Sequence, residues 1–220
     1  LEGKSVLDTY DDSPKCWEDY CPKNFSDIYK GESTLIEAFK TSSNIVPIQI
    51  SSEFGLEKVV NLANLFGINY EKNQSFYLPI AIGAYGDSLL NITNAYSIIN
   101  NNGQSIEPSV IEKIESKSGR IIWENKFQTK KIIDIDIATK LNFLLEKSVL
   151  EGTGIAAYIN GKKIFGKTGT SDLNRDLWFI GSIENLTTGI WIGFDDNRAT
   201  NFSSGTSANF WRSYIKSINI

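Results

Sequence analysis

The sequence predicts an α+β fold, in which an antiparallel sheet is flanked by helices. Apolar residues recur at helical spacing through most of residues 32–150, whereas short β-type segments separated by turn residues follow over residues 151–220. Residues 1–31, rich in Asp, Ser, Pro and Lys, are expected to form an irregular surface segment. The 220 residues, 41% of them hydrophobic, are enough to bury one core, so a single domain is expected.

The helices are predicted by spacing and by their terminal residues. Thr34 and Glu37 fit a capping box, in which each side chain accepts a free N–H of the first turn, and they start a short helix. Pro47 is compatible with the first turn of a second helix that begins near Asn44. Longer helices are expected over residues 56–66, 88–101, 134–150 and 206–218.

The sheet is predicted in the C-terminal third of the chain. Three β-type segments are expected to be adjacent antiparallel strands, over residues 163–166, 177–183 and 189–194. A separate hairpin is predicted earlier, with strands over residues 110–115 and 120–124. The closing helix is expected to cover one face of the sheet with four side chains, those of Phe210, Trp211, Tyr214 and Ile218.

Composition excludes several classes of function. The formal net charge of -4 and the pI near 5.0 argue against nucleic-acid binding, which needs clustered Lys and Arg. The absence of histidine excludes Ser-His-Asp and Cys-His sites and the commonest metal ligand, so no metal or cofactor is expected. No apolar run is long enough to cross a bilayer, and even an initiator methionine is absent. The chain is therefore expected to be part of a longer protein, which would carry any membrane anchor.

The two cysteines, Cys16 and Cys21, lie five residues apart in a polar, Pro-flanked stretch. A zinc site would need four ligands, so these two residues do not make one. They are either two surface thiols or a local disulfide in an oxidising compartment.

The segment from Gly166 to Thr170, Gly-Lys-Thr-Gly-Thr, carries the strongest chemical signal. A cation, a hydroxyl and a glycine at a strand edge can hold an anionic substrate end while the substrate backbone comes close. Ser42-Ser43-Asn44 is the second signal, because a hydroxyl and an amide on one loop can relay a proton and hold a peptide carbonyl. In isolation each has a structural interpretation, the first as a turn between strands and the second as a helix cap.

Ser-x-Asn and Lys-Thr-Gly are two of the three active-site motifs of penicillin-interacting serine enzymes. Their surroundings resemble the transpeptidase domain of class A penicillin-binding proteins, which are bifunctional peptidoglycan synthases. The resemblance runs from about residue 20 to the end of the chain. It is carried by the ordered segments at residues 20–25, 34–39, 152–157, 175–181 and 191–197.

The resemblance implies a penicillin-binding transpeptidase fold, similar to that of serine β-lactamases, and catalytic roles for three residues. Ser42 would relay a proton toward the leaving group, Asn44 would hold the substrate backbone, and Lys167 would raise the local positive potential beside Ser42. No metal takes part in this scheme.

Three further residues are implied in substrate binding. The hydroxyls of Thr168 and Thr170 would grip the substrate carboxylate, and Gly169 would keep the strand edge open. The Thr170 amide would supply one half of an oxyanion hole.

One departure from the family pattern concerns the nucleophile, the Ser of a Ser-x-x-Lys motif that precedes Ser-x-Asn. The only Ser-x-x-Lys in these residues is Ser213 to Lys216, which follows Lys-Thr-Gly and is rejected as coincidence. Residues 1–14 resemble the segment that follows the nucleophile's helix, so the domain is expected to be N-terminally incomplete. The missing Ser and Lys would lie shortly upstream of Leu1, and the chain alone would be inactive.

The resemblance also implies partners and a location. The substrates would be peptidoglycan stem peptides ending in D-Ala-D-Ala, and β-lactam antibiotics would inhibit. The domain would lie on the periplasmic side of the inner membrane, anchored by a segment outside these residues, which favours the disulfide. The alternatives are a β-lactamase or β-lactam sensor of the same fold, or a non-catalytic wall-binding module.

Overall fold

The computed structural model describes residues 4–70 and 76–220. In these ranges the helices are α1 Leu35–Thr41, α2 Ile45–Phe54, α3 Leu56–Leu65, α4 Leu89–Asn100, α5 Ile135–Glu151 and α6 Ser204–Ser217. The strands are β1 Thr9–Asp12, β2 Gly31–Thr34, β3 Gln104–Ile106, β4 Lys113–Glu115, β5 Ile121–Glu124, β6 Thr129–Lys131, β7 Ile164–Thr170, β8 Asp176–Ile183 and β9 Leu186–Gly193. The predicted combination of helices with antiparallel strands is confirmed.

The central sheet contains β7, β8 and β9 in that order, and all its neighbours are antiparallel. Helix α5 packs on β7, α6 packs on β8 and β9, and α4 packs on β9. Strand β7 is longer than the predicted segment 163–166, because its pairing with β8 continues through Thr170 opposite Leu177. The Lys-Thr-Gly segment therefore lies inside a strand and inherits the strand's rigid ladder of hydrogen bonds.

The prediction for the face of α6 is right only at Trp211. The large side chains that α6 buries fully are Trp211 and Ile215, beside the small Ser207 and Ala208, whereas Phe210, Tyr214 and Ile218 are 59%, 44% and 38% exposed. The reason lies in the sheet: a Cβ on Gly181 would stand 2.6 Å from a ring carbon of Trp211, so only a glycine leaves room for the indole. The face of α6 that carries Trp211 therefore packs on the sheet, and the indole lies edge-on to the buried Phe179 of β8.

The N-terminal segment also differs from the prediction. Thr9–Asp12 is a strand that pairs with β2, and its alternate residues Tyr10 and Asp12 are buried. Tyr10 packs against Ala38 and Val46 in a small core under α1 and α2. The two buried residues of this strand are a tyrosine and an aspartate, so they do not form the alternating apolar pattern by which a strand is recognised. The sequence therefore did not indicate the strand. Residues 1–3 of the expected irregular segment lie outside the described residues.

Two small antiparallel pairs complete the described architecture. β4 and β5 form the predicted hairpin across the turn at residues 116–119, and β3 pairs with β6. None of the helices in residues 4–70 and 76–220 combines the length and apolar character needed to cross a membrane.

Candidate active site

One cleft, with a volume of about 1280 Å³, separates the turn between α1 and α2 from strand β7. Asn44 lines one wall, and residues from Lys167 to Ser171 line the other. Apolar side chains of α3 and α4 and of the segment between them close the back of the cleft. The two sequence motifs, more than 120 residues apart in the chain, therefore face each other across a single space.

Lys167 contacts the Ser-x-Asn turn directly. Its Nζ donates a hydrogen bond to Ser42 Oγ at 2.8 Å and a second one to the Thr168 carbonyl at 3.1 Å. Burial of the ammonium group lowers the pKa of Lys167 to about 8, since a low-dielectric site penalises the charged form. A lysine tuned in this way can exchange a proton with a neighbouring hydroxyl near physiological pH.

Ser42 is held in its position by the end of helix α1. It has a left-handed backbone with φ of 59°, and its N–H donates to the Phe39 carbonyl while the next N–H donates to the Ala38 carbonyl. Such bonds satisfy the free carbonyls at a helix C-terminus. The helix end therefore directs the Ser42 hydroxyl toward Lys167.

The capping interpretation of the triplet applies to its middle residue. Ser43 Oγ accepts the N–H groups of Ile45 and Val46, both at 3.1 Å, and so caps α2. The Asn44 side chain makes no capping bond, and its Nδ2 donates to the Lys23 carbonyl at 2.7 Å. Capping by Ser43 leaves the Ser42 hydroxyl to accept from Lys167, and Asn44 lines the cleft, whereas Ser42 is not among the lining residues.

The two threonines of the strand motif have different surroundings. Thr168 is 8% exposed, and its hydroxyl donates to Thr153 Oγ1 at 2.7 Å. Thr170 lies exposed at the strand end, and its hydroxyl has no hydrogen bond within the described part of the chain. Of the two hydroxyls predicted to grip a carboxylate, that of Thr170 is free to do so, whereas that of Thr168 already has a partner.

Thr153 is a site residue whose role sequence reasoning missed. Its N–H donates to the Lys40 carbonyl near the end of α1, at 3.0 Å. Gly152 permits this approach, because a Cβ there would lie 2.2 Å from the same carbonyl oxygen. The Gly152–Thr153 segment thus ties the helix that precedes Ser42 to the strand that carries Lys167. The resemblance already included this segment, but not its contacts.

Strand β7 offers an edge to a ligand. Among the described strands it pairs with β8 alone, so its other edge keeps free N–H and C=O groups beside the cleft. Gly169 packs on Trp178, and a Cβ there would stand 3.3 Å from the tryptophan Cβ. An extended peptide can add to such an edge through main-chain hydrogen bonds.

The model of the family "Penicillin binding protein transpeptidase domain" matches residues 3–212. The chain belongs to this family. The resemblance noted from the motifs is confirmed, as is the penicillin-binding transpeptidase fold.

Curated relatives support the same assignment. Penicillin-binding protein 1A of Rickettsia prowazekii is 32% identical over 199 residues, which are 80% of this chain and 25% of the relative. Penicillin-binding protein 4 of Bacillus subtilis is 31% identical over 195 residues, which are 88% of this chain and 31% of that protein. The transpeptidase domain described here thus spans between a quarter and a third of the length of these relatives.

Solved structures show the same fold. The PonA1 protein from Mycobacterium tuberculosis in complex with penicillin V superposes with a TM-score of 0.89, at 20% identity over 99% of this chain and 64% of that one. Penicillin-binding protein 1A from Haemophilus influenzae superposes with a TM-score of 0.87, at 23% identity over 97% of this chain and 39% of that one.

The serine that fits Ser-x-x-Lys formally lies away from the cleft of the transpeptidase domain. Ser213 is exposed on α6, and its hydroxyl donates to the Asn209 carbonyl at 2.9 Å. It is not among the residues that line the cleft. The geometry gives Ser213 no access to Lys167.

Cys16 and Cys21 form a disulfide, which decides between the two interpretations left open by the sequence. Cys21 lines the cleft two residues before Lys23, whose carbonyl holds the Asn44 amide. Within the described residues, no group of three or more His, Cys, Asp and Glu side chains could hold a metal ion.

Proposed function

We propose that the protein containing this domain is a D,D-transpeptidase that crosslinks peptidoglycan stem peptides through a serine acyl-enzyme and is inhibited by β-lactams. The observation that carries the proposal is the 2.8 Å hydrogen bond between Lys167 and Ser42 in a cleft bordered by a free strand edge. The names of the relatives, all penicillin-binding proteins, support it.

In the first step, a serine hydroxyl attacks the carbonyl carbon of the D-Ala-D-Ala peptide bond, and its proton would pass to the Lys of the same Ser-x-x-Lys motif. The new ester bond forms as the C-terminal D-Ala leaves as an amine. The nucleophile would be the Ser of a Ser-x-x-Lys motif upstream of Leu1, since Ser213 does not reach the cleft. The amino group of a second stem peptide then attacks the ester, forms the crosslink and releases the serine.

Ser42 and Lys167 would move the proton that the leaving amine needs. The amine takes a proton from the Ser42 hydroxyl, which recovers one from the Lys167 ammonium. A pKa of about 8 makes this transfer easier than it would be for an ordinary lysine. The positive charge of Lys167 also favours binding of an anionic peptide end.

Binding would use both walls of the cleft. Asn44 would hold a backbone amide of the substrate, and the substrate would extend along β7 beside Gly169. Thr170 would donate its free hydroxyl to the terminal carboxylate and its N–H to the developing oxyanion. Thr168 would reach the carboxylate only if its hydroxyl left Thr153.

We place this activity on the periplasmic side of the inner membrane, where stem peptides are found. An anchor and a glycosyltransferase domain would lie in other parts of the protein. The Cys16–Cys21 disulfide supports the location, because disulfides persist in oxidising compartments.

The test is labelling with a fluorescent penicillin. The whole protein should be labelled at one serine upstream of Leu1, and Ser213→Ala should leave labelling unchanged. Residues 1–220 alone should remain unlabelled. Labelling that is lost in Ser213→Ala would overturn the motif assignment, whereas absence of labelling in the whole protein would favour a non-catalytic wall-binding module. Hydrolysis of the label within seconds would indicate a β-lactamase.

A further inference from the structure

A buried carboxylate lies behind the Ser-x-Asn turn. Asp12, the last residue of β1, is 2% exposed and has no ion pair with any cation among residues 4–70 and 76–220. A carboxylate removed from water is costly unless hydrogen bonds to its oxygens compensate for the lost hydration. Asp12 therefore needs a complete set of donors, and that need restricts where those donors can lie.

Three groups donate to Asp12. Ser43 Oγ donates to Oδ1 at 2.5 Å, Asn24 Nδ2 donates to the same oxygen at 2.8 Å, and the Lys30 N–H donates to Oδ2 at 3.1 Å. Ser43 and Asn24 are themselves 7% and 8% exposed. Bonds to a charged acceptor are stronger than neutral ones, and in a buried network each holds the next in place.

The same two side chains also hold Asn44. Asn24 Oδ1 accepts the Asn44 N–H at 2.8 Å, and Ser43 is the residue that precedes Asn44 and caps its helix. Lys23, next to Asn24, accepts the side-chain amide of Asn44. Both the backbone and the side chain of Asn44 are thus bonded to the segment that Asp12 anchors.

We propose that Asp12 is a positioning residue for the acylation reaction. It holds Ser43 and Asn24 so that the Asn44 side chain is presented to the cleft in one orientation. The proposal rests on the proposed function, since it requires Asn44 to hold the substrate. Asp12 itself does not line the cleft, so its effect passes through Asn44.

The test is a cycle of variants in the whole protein, with the second-order rate constant of acylation by penicillin as the readout. Asp12→Asn loses the charge and one acceptor, and should slow acylation about 10- to 100-fold, the size expected when a binding group is misplaced. In an Asn44→Ala background the same change should slow it less than about threefold, because the group it positions is gone. Equal effects in both backgrounds would overturn the proposal, as would an unchanged rate in Asp12→Asn.

Asp11→Asn is the matched control. Asp11 adjoins Asp12 on the same strand, but its side chain is exposed, and its hydrogen bonds in the described part of the chain are to Ser13, two residues away. Its replacement should leave acylation unchanged in both backgrounds. If Asp12→Asn does not fold, Asn24→Ala serves in the same cycle, because it removes the link between Asp12 and the Asn44 N–H.

Hydrogen exchange separates failure of this inference from failure of the proposed function. Asp12→Asn should speed amide exchange of a peptide covering residues 42–46, relative to Asp11→Asn, whether or not the protein reacts with penicillin. Unchanged exchange in that peptide would overturn the positioning role even if acylation slowed. If the protein is never acylated but Asp12→Asn still shows the faster exchange, the proposed function is wrong and the positioning of Asn44 by Asp12 still holds.

Discussion

The two walls of the cleft are held in place by different means. Strand β7 is fixed by main-chain pairing with β8 from Ile164 to Thr170 and by α5 packed against it. The turn at residues 42–44 is fixed by side chains, chiefly the donors gathered around Asp12. A ladder tolerates the loss of one side chain, whereas a side-chain network depends on each of its members.

This difference predicts where replacements should affect acylation. On the strand wall, a replacement should slow acylation when it removes a side chain that faces the cleft. Other replacements there should change the acylation rate little. On the turn wall, replacements at residues remote from the cleft should also slow acylation. Replacements at Lys167, at the two threonines of β7 and at the two cysteines test this difference between the walls.

Lys167→Ala in the whole protein should slow acylation about 100-fold or more, because it removes both the proton donor of Ser42 and the positive charge of the cleft. The fold should persist, since the main-chain ladder of β7 is untouched. Rates from a fluorescent penicillin and a melting curve measure the two effects. Lys163→Ala is the control, as this lysine precedes the same strand and is exposed. Equal rates in the two variants would mean that the strand motif is misassigned.

Thr170→Val should slow acylation about tenfold, because one hydrogen bond to a charged carboxylate is lost. Thr168→Val should slow it less and instead destabilise the fold by about 1 kcal/mol, since its hydroxyl bonds Thr153 rather than facing a ligand. Acylation rates and denaturant unfolding of both variants separate the kinetic effect from the effect on stability. A larger kinetic effect for Thr168→Val would show that its hydroxyl turns toward the substrate.

Replacement of both Cys16 and Cys21 by serine should have the smallest effect, slowing acylation about twofold. The disulfide closes a short loop, so its direct contribution to stability is modest. Its loss acts by loosening Lys23, which holds the Asn44 amide. A reductant should produce the same change in the native protein and none in the double variant. A reductant effect that persists in the double variant would have to arise elsewhere.

Much of the local structure was predictable from the sequence. Thr34 caps α1 as expected, with its hydroxyl accepting the Glu37 N–H at 3.3 Å, although the Glu37 carboxylate pairs with Lys40. Helix α2 starts at Ile45 with Pro47 in its first turn, as predicted. These features depend on neighbours within four residues along the chain, so short-range patterns are sufficient to reveal them.

The outward face of α6 was not predictable in the same way. Phe210, Trp211 and Tyr214 are all aromatic, yet only Trp211 lies against Gly181 and is buried. Complementarity between a helix and a sheet depends on both surfaces at once. A pattern along the helix alone does not contain that information.

Spacing and motif order are properties of the chain, so the fold class, the family and the two motifs could be identified from the sequence. The hydrogen-bond partners of the buried polar side chains are known only from the folded structure, in which Lys167 donates to Ser42, Thr168 donates to Thr153, and Asp12 accepts from Ser43, the residue before Asn44. A buried polar group must form hydrogen bonds with residues that are close in space, and those residues can be far away in the sequence. The side-chain partners of Lys167, Thr168 and Asp12 are between 12 and 125 residues away along the chain.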